Sequence, residues 1–167
     1  TKPNDKPYKD GACYTGKEHS WDEAFGYWGA AAHSLLLSAE DNYNVAKRKD
    51  LAAADANGDG VVDLKSEYVF AHAYYASSFD KGGKTSYMED ITRAFLDGRK
   101  LITSANGEKL SDAQRSELMG YVDVISTNWE KVIAESVFKY AGSTYKSLVA
   151  LETVSNEDLS KEFSNYM

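Results

Sequence analysis

Residues 55–67, which read DANGDGVVDLKSE, carry oxygen-bearing side chains at the spacing of a calcium-binding loop. Asp55, Asn57 and Asp59 occupy the first, third and fifth positions of such a loop. Asp63 occupies the ninth position, where its carboxylate can bind the ion directly or through water. Ca²⁺ prefers about six to eight hard oxygen ligands. The pattern therefore predicts a Ca²⁺ site that resembles an EF-hand loop.

Two further residues fit the pattern of this loop, and its twelfth position departs from the pattern. Gly60 stands at the sixth position, where the chain turns sharply, and Val61 at the seventh offers its backbone carbonyl. The bidentate glutamate belongs at the twelfth position, which is Ser66 here, and Glu67 follows it. Either the exiting helix is shifted so that Glu67 still closes the site, or water closes it with lower affinity. The remaining alternative is an acidic turn that links two helices without a metal ion.

A second set of candidate ligands lies in GKEHSWDEAFGYWGAAAH, near the start of the chain. In a helix, His19 and Glu23 stand one turn apart, where they could bind one transition-metal ion or share a proton. Two ligands bind a metal weakly, and His72 is the histidine that another helix could add. Two plainer interpretations stay open. His19 and Glu23 could form an ion pair or hydrogen bond at the helix start, and His72 could be a core histidine bonded to a carbonyl.

The blocks EHSWDEAFGYWGAA, DANGDGVVDLKSEYVF and NWEKVIA together resemble a bacterial family of cell-envelope helical domains close to the imelysin-like proteins. The resemblance covers most of residues 14–140 and is most specific in HSWDEAFGYWG. It implies an all-helical bundle that is linked to iron uptake, carries a His-x-x-Glu motif and has a disputed peptidase label. His19 matches the histidine of this motif. The acid falls at Asp22, with Glu23 beside it, so either carboxylate could be the second ligand.

Helical periodicity runs through most of the chain, except in residues 1–17, whose prolines and glycines predict an extended leader. Apolar residues spaced three and four apart predict a helical-bundle domain over residues 18–152. A short tail segment follows over residues 153–167. The predicted helices run from about Lys17 to Ser38, from Val45 to Ala54, from Ser66 to Phe79, from Ser86 to Asn106, and from Ser111 to Glu152.

The predicted helices carry apolar stripes, which they can bury only against one another. The predicted fold class is therefore all-α: an antiparallel helical bundle with one EF-hand-like Ca²⁺ loop between two helices. Capping boxes are expected at Ser86 with Glu89 and at Ser111 with Gln114, and Gly142 could kink or split the last helix. The stripes predict burial of Met88, Ile91, Phe95 and Ile102, of a seam from Leu118 to Val149, and of the aromatic and aliphatic core residues Trp21, Phe25, Trp28, Ile125 and Trp129.

Composition excludes several classes of protein. The chain of 167 residues has a net charge of -7, which disfavours binding to nucleic acid phosphates. The single cysteine, Cys13, excludes an internal disulfide and a cysteine-rich zinc site. No apolar run approaches the about 20 residues of a membrane-spanning helix. A lone Ca²⁺ loop with only 3 methionines is unlike a cytosolic calcium sensor, so we expect a periplasmic, cell-envelope or extracellular location.

These patterns favour a calcium-stabilised binding domain that is imelysin-like and acts in metal acquisition, with iron as the metal that the resemblance implies. Two alternatives remain: a structural subunit of a surface assembly, and a metal-dependent peptidase. The signature H-E-x-x-H, a phosphate-binding loop and a dinucleotide-binding glycine motif are absent from the sequence, so no catalytic residue is assigned. The expected partners are metal ions and an envelope protein or further copies of the chain.

Overall fold

A computed structural model describes residues 5–152 together with residues 154, 158, 160, 161 and 164. The all-α fold class is confirmed for these residues, which form six α-helices, one 3₁₀ turn and no strand. The chain divides into two compact units, and the boundary follows Val132. The helices are α1 (Gly16–Trp28), α2 (Ala39–Ala46), α3 (Leu51–Ala54), α4 (Ala71–Asp80), α5 (Tyr87–Ser104) and α6 (Asp112–Leu151), with the 3₁₀ turn at Ser34–Leu36.

None of the helices that the structure describes combines the length and the apolar character needed to cross a bilayer. The antiparallel order of the bundle stays a prediction. The predicted leader falls into turns and bends between residues 5 and 15, with Pro7 bridged to Thr15 and Cys13 exposed. Residues 1–4 and most of the predicted tail segment lie outside the described residues.

The core of the first unit is built around Trp28, whose side chain is fully buried. Its indole Nε1 donates a hydrogen bond to Thr92 Oγ1 at 3.1 Å, which satisfies the one polar group of the ring. Trp129 on α6 packs edge-on against it, with 5.2 Å between the ring centroids. Phe95 and Ile125 are buried as predicted. The predicted core residues Trp21, Phe25 and Trp129 are partly buried and pack against this core.

The expected first helix, from about Lys17 to Ser38, is wrong at its end, because α1 stops at Trp28. Gly29 adopts a left-handed conformation (φ 84°), and its N–H still bonds to Phe25 O. A Cβ atom at Gly29 would lie 2.6 Å from the carbonyl oxygen of Phe70. Glycine is therefore required where the chain after α1 crosses the segment before α4.

The predicted helix from Ser66 to Phe79 is wrong at its start, and the same crossing is the reason. Phe70 N–H donates to Gly29 O at 2.9 Å, and Ala32 N–H donates to Ser66 O at 2.7 Å. These bonds hold the backbone of residues 66–70 in a non-helical path. As a result, α4 begins only at Ala71, and the loop is not followed directly by a helix.

The predicted helix from Val45 to Ala54 is in fact split. α2 ends at Ala46, and α3 begins at Leu51 with Asp50 as its N-cap. Arg48 is left-handed (φ 56°) between them, and Lys49 N–H donates to Asn44 O at 2.8 Å. This bond pattern is a Schellman motif, which ends a helix by satisfying its last carbonyls.

A buried carboxylate replaces one of the two predicted capping boxes. Glu89 does not cap α5 with Ser86. Instead, Asp80 at the end of α4 accepts hydrogen bonds from Tyr87 N–H at 3.0 Å and Met88 N–H at 2.6 Å. Burial raises the pKa of Asp80, although these bonds and the Thr85 hydroxyl act in the opposite direction.

The other predicted capping box is confirmed. Ser111 N–H donates to Gln114 Oε1 at 3.0 Å, and Gln114 N–H donates to Ser111 Oγ at 3.2 Å. α6 then continues to Leu151 without a break at Gly142.

The second unit exposes the apolar seam that was expected to be buried. Phe138 is 76% exposed and Tyr145 is 68% exposed, and Leu148 and Val149 are also exposed. The stripe is present in the sequence, but these large apolar side chains of the unit remain exposed to solvent. Burial of this part of the seam was therefore predicted wrongly.

The contact between Gly98 and Trp21 gives a direct test of the packing between α1 and α5. A Cβ atom at Gly98 would lie 2.2 Å from Trp21 Cζ2. The indole is held in place by the hydrogen bond from its Nε1 to Phe95 O at 2.8 Å. We expect Gly98→Ala to lower the free energy of unfolding by about 1–3 kcal/mol through overpacking, as measured by urea denaturation.

Gly120→Ala is the matched control, because a Cβ atom there meets nothing within 4 Å. Alanine has the higher helix propensity, so this variant should gain about 0.5–1 kcal/mol of stability. If both variants move the unfolding midpoint in the same direction, the packing of Trp21 against Gly98 is not as described.

Candidate calcium loop and the His19 helix

The carboxylate of Asp55 organises the first half of the predicted calcium loop. Its Oδ1 accepts hydrogen bonds from Gly58 N–H at 2.8 Å and Asp59 N–H at 3.2 Å, and its Oδ2 accepts one from Gly60 N–H at 2.8 Å. Gly58 (φ 72°) and Gly60 (φ 84°) are both left-handed. The sharp turn predicted at Gly60 is therefore present.

The next loop side chains each bind the backbone a short distance ahead. Asn57 Oδ1 accepts from Asp59 N–H at 2.9 Å, and Asp59 Oδ1 accepts from Val61 N–H at 2.8 Å. Asp63 Oδ1 accepts from Lys65 N–H at 2.9 Å. This backbone bond, followed by the Ser66 hydroxyl, lowers the pKa of Asp63 below its usual value. The Asp63 carboxyl is therefore ionised at neutral pH, as a cation ligand must be.

Glu67 closes the loop through hydrogen bonds to the backbone. Its side chain is only 4% exposed. Oε1 accepts from Ala56 N–H at 3.1 Å and Asn57 N–H at 3.2 Å, and Oε2 accepts from Asp63 N–H at 2.8 Å. Glu67 thus ties the entrance of the loop to its exit. It does so from a turn, and the exiting helix begins four residues later at Ala71.

The donor set of the loop fits Ca²⁺ by its chemistry. Asp55, Asn57, Asp59 and Asp63 offer side-chain oxygens, and Val61 offers a carbonyl oxygen, with no soft ligand among them. Asn57, Asp59 and Asp63 are exposed to solvent. Each carboxylate has about four acceptor sites, so bonds to backbone amides leave lone pairs for an ion.

His19 on α1 lies against the tyrosines of the preceding segment. Its ring stacks on Tyr8, with 3.6 Å between the ring centroids, and lies 5.9 Å from the ring of Tyr14. Glu23, one turn along, is exposed. The imidazole thus stacks on a tyrosine of the preceding segment, and the carboxylate proposed to share its metal ion stands one turn further along α1.

The acidic residues beside His19 meet a guanidinium from α5. Arg99 Nε donates to Asp22 Oδ1 at 2.8 Å, and Arg99 Nη1 donates to Glu18 Oε1 at 2.7 Å. Glu18 also completes a capping box with Thr15, the N-cap of α1. The sequence pattern T-x-x-E could have revealed this box, but nothing local in the sequence points to Arg99.

The low pKa of Glu18 is explained by these contacts. Burial alone would raise its pKa, but the Thr15 N–H, the Thr103 and Thr15 hydroxyls and the Arg99 guanidinium together lower it to about 2. The carboxylate is therefore charged at every physiological pH and holds the start of α1 against α5.

The other two histidines lie elsewhere in the first unit. His72 packs edge-on against Trp129, with 5.4 Å between the ring centroids. Its Nδ1 is buried and has no hydrogen-bond partner among the described residues. The carbonyl-bonded histidine is His33, whose Nε2 lies 3.0 Å from Ala53 O.

The structure does not bring the proposed ligands of either metal site into one cluster. In the part of the chain that it describes, no three His, Cys, Asp or Glu side chains form a group placed to hold a metal ion. His19 stacks on Tyr8, Asp22 pairs with Arg99 and His72 packs against Trp129. The loop carboxylates accept hydrogen bonds from backbone amides. Ca²⁺ binding and transition-metal binding both stay predictions.

Comparison with protein-family models, with curated protein sequences and with solved structures gave no match to this chain.

The first prediction from these contacts concerns Glu18. Its pKa is about 2 in the folded protein against an ordinary value of 4.5. Its ionised form therefore contributes stability that is complete above 4.5 and is lost as the pH falls toward 2. We expect Glu18→Gln to lower the free energy of unfolding by about 1–3 kcal/mol at neutral pH. The difference from the parent protein should shrink over this acidic range in urea denaturation.

Glu23→Gln is the control for Glu18→Gln, because it makes the same substitution at an exposed position of the same helix. It should leave the stability nearly unchanged at each pH. A Glu18→Gln effect that stays constant down to the lowest pH would contradict the lowered pKa.

The second prediction separates the two roles considered for Glu67. Two carboxylate oxygens of Glu67 accept from three backbone N–H groups, and an amide keeps only one of these oxygens, so at least one N–H group loses its acceptor. We expect Glu67→Gln to destabilise the calcium-free protein by about 1–3 kcal/mol, measured by thermal unfolding in EDTA. If Glu67 served only as a calcium ligand, parent and variant would melt together in EDTA and differ only with Ca²⁺ present.

Proposed function

We propose that this chain is a calcium-stabilised helical binding domain that acts at the bacterial cell envelope or outside the cell. The observation that carries the proposal is the closed loop 55–67, in which Asp55 and Glu67 tie the backbone while Asn57, Asp59 and Asp63 are exposed to solvent. An all-oxygen donor set of this kind suits Ca²⁺ better than a soft transition metal.

The role of Ca²⁺ in this proposal is to brace the fold. Like charges on Asp55, Asp59 and Asp63 repel one another, and a bound cation would remove that repulsion. The exit of the loop continues into residues 66–70, whose backbone bonds to Gly29 and Ala32. A stabilised loop would therefore also stabilise the crossing that sets the end of α1 and the start of α4.

The cargo of the binding domain is proposed from the imelysin-like resemblance. That resemblance implies metal acquisition in the periplasm or envelope, with iron as the transported metal, and centres on His19, Asp22 and Glu23. Arg99 already pairs with Asp22, so His19 and exposed Glu23 are the groups with capacity to bind a metal.

His19→Ala and Glu23→Ala should then lower the transition-metal content of the native protein without changing its calcium content. Unchanged content in both variants would remove this part of the proposal.

The calcium proposal predicts a stability that depends on the ion. A ligand that binds only the folded state stabilises it by about 2.7 kcal/mol at 100 times its dissociation constant. We expect EDTA to lower the melting temperature of the parent protein. Asp59→Ala should melt at that lower temperature even in Ca²⁺ buffer, because it lacks a loop carboxylate.

Asp112→Ala is the control for Asp59→Ala, since it also removes an exposed aspartate but lies outside the loop. It should keep the full response to Ca²⁺. Absence of heat on calorimetric titration with Ca²⁺, together with equal melting curves with and without EDTA, would refute a calcium-binding function.

A second candidate function, a structural subunit that pairs with copies of itself, is favoured by the exposed face of the second unit. Apolar residues at three-and-four spacing on one helix are the pattern that helices use to pair. Large exposed side chains of this unit are Ile133, Val137, Phe138, Tyr140, Tyr145, Leu148 and Val149.

Light scattering tests self-association. The parent protein should grow in mass with concentration, and Phe138→Glu should reduce this growth, because a charge on the apolar face must be desolvated on pairing. Ser143→Glu introduces the same charge at an exposed polar position and serves as the control. A parent protein of monomer mass at every concentration would exclude self-assembly.

A further inference from the structure

Residues 47–49 form a run of three cations, Lys-Arg-Lys, in a chain whose net charge is -7. Two of them line a cleft of about 540 Å³ between the end of α2 and the start of α4. Its other walls are largely aromatic and include Tyr68, Phe70, Tyr74 and Tyr75. Clefts of this size are typical of small-ligand sites in proteins.

The cations of this cleft pair with tyrosines instead of carboxylates. Lys47 Nζ lies 3.6 Å from the centre of the Tyr74 ring and donates a hydrogen bond to Tyr74 Oη. Arg48 Nε donates to Tyr68 Oη at 2.6 Å. Among the described residues, neither Lys47 nor Arg48 forms a salt bridge, whereas Arg93 and Arg99 on α5 do. The ammonium of Lys47 and the two Nη groups of Arg48 therefore keep donors for an external acceptor.

The backbone of the cleft is strained at two positions. Arg48 (φ 56°) and Ala71 (φ 48°) are both left-handed without being glycine, and both line the cleft. Arg48 occupies the position after α2 where a Schellman motif favours glycine. Non-glycine residues in such conformations are concentrated at functional sites. A long cationic side chain is thus kept where glycine would fit the backbone better.

We propose that this cleft binds a small organic phosphate or sulfate monoester. The guanidinium of Arg48 and the ammonium of Lys47 contact the oxyanion, for which a planar fork of N–H donors is well suited. The organic part of the ligand lies against the aromatic wall, where Phe70 is 42% exposed. The negative net charge of the chain repels a long polyanion, so a small ligand is favoured over a nucleic acid.

A purely structural role for these cations makes a different prediction. Lys47 and Arg48 follow the carboxyl end of α2, where cations interact favourably with the helix dipole. If that were their only role, a glycine at position 48 would relieve the backbone strain and no ligand binding would be lost. The proposal does not depend on calcium binding, because none of the predicted calcium ligands lines this cleft.

Calorimetric titration of the full chain with phenyl phosphate tests the proposal, with benzyl alcohol as the neutral comparison and inorganic phosphate as the bare oxyanion. The parent protein should bind phenyl phosphate more tightly than either. Arg48→Gly should weaken this binding at least about tenfold, because it removes a charge-assisted contact. It should also melt no lower than the parent, since glycine fits the left-handed position.

Lys109→Ala is the control for Arg48→Gly, because it removes one exposed positive charge away from the cleft. It should bind phenyl phosphate as the parent does. Equal affinity of the parent and Arg48→Gly, or no binding by the parent, would overturn the proposal. Equal binding of benzyl alcohol would overturn the role of the oxyanion, and equal binding of inorganic phosphate would overturn the ester assignment.

Discussion

The close approach of Gly29 to Phe70 is the contact on which the rest of the first unit depends. The Phe70 carbonyl oxygen lies 2.6 Å from the position of a Cβ atom at residue 29, so every other residue type would push the two segments apart. The backbone bonds from Phe70 to Gly29 and from Ala32 to Ser66 hold the two segments together at this crossing. One crossing therefore ends α1, delays α4 and anchors the exit of the acidic loop.

The contact between Tyr68 and Arg48 depends on this crossing. Because residues 66–70 are not helical, Tyr68 can meet Arg48 at the end of α2. Arg48 and Tyr68 line the cleft between α2 and α4, and they also line a second cleft that borders the loop at Asp55 and Gly60. Glu67, the neighbour of Tyr68, holds the loop closed. The closed conformation of the loop and the position of Tyr68 beside Arg48 are thus linked directly, because Glu67 and Tyr68 are adjacent in the sequence.

Features that arise from local spacing could be predicted from the sequence, and features that arise from distant contacts could not. The Ser111–Gln114 capping box, the turn at Gly60 and the buried face of α5 depend on residues within a few positions of one another. In contrast, the end of α1 and the start of α4 are set by the Gly29–Phe70 crossing, and Glu18 meets Arg99 at a separation of 81 residues. Apolar helical spacing runs on through these points, but the tertiary contacts decide where each helix ends or begins.

The acidic residues of the chain belong to two groups that their sequence context does not separate. Glu18, Glu67 and Asp80 are buried, and each accepts hydrogen bonds from backbone amides that would otherwise lack partners. Asp59 and Asp63 lie in solvent, where ionised oxygens cost little to maintain. The position of Glu67 in the sequence suggests a calcium ligand, but its side chain is buried and accepts hydrogen bonds from the backbone. The exposed residues of the loop are therefore the ones whose charge a cation can neutralise, and the buried ones stabilise the fold whether or not an ion is bound.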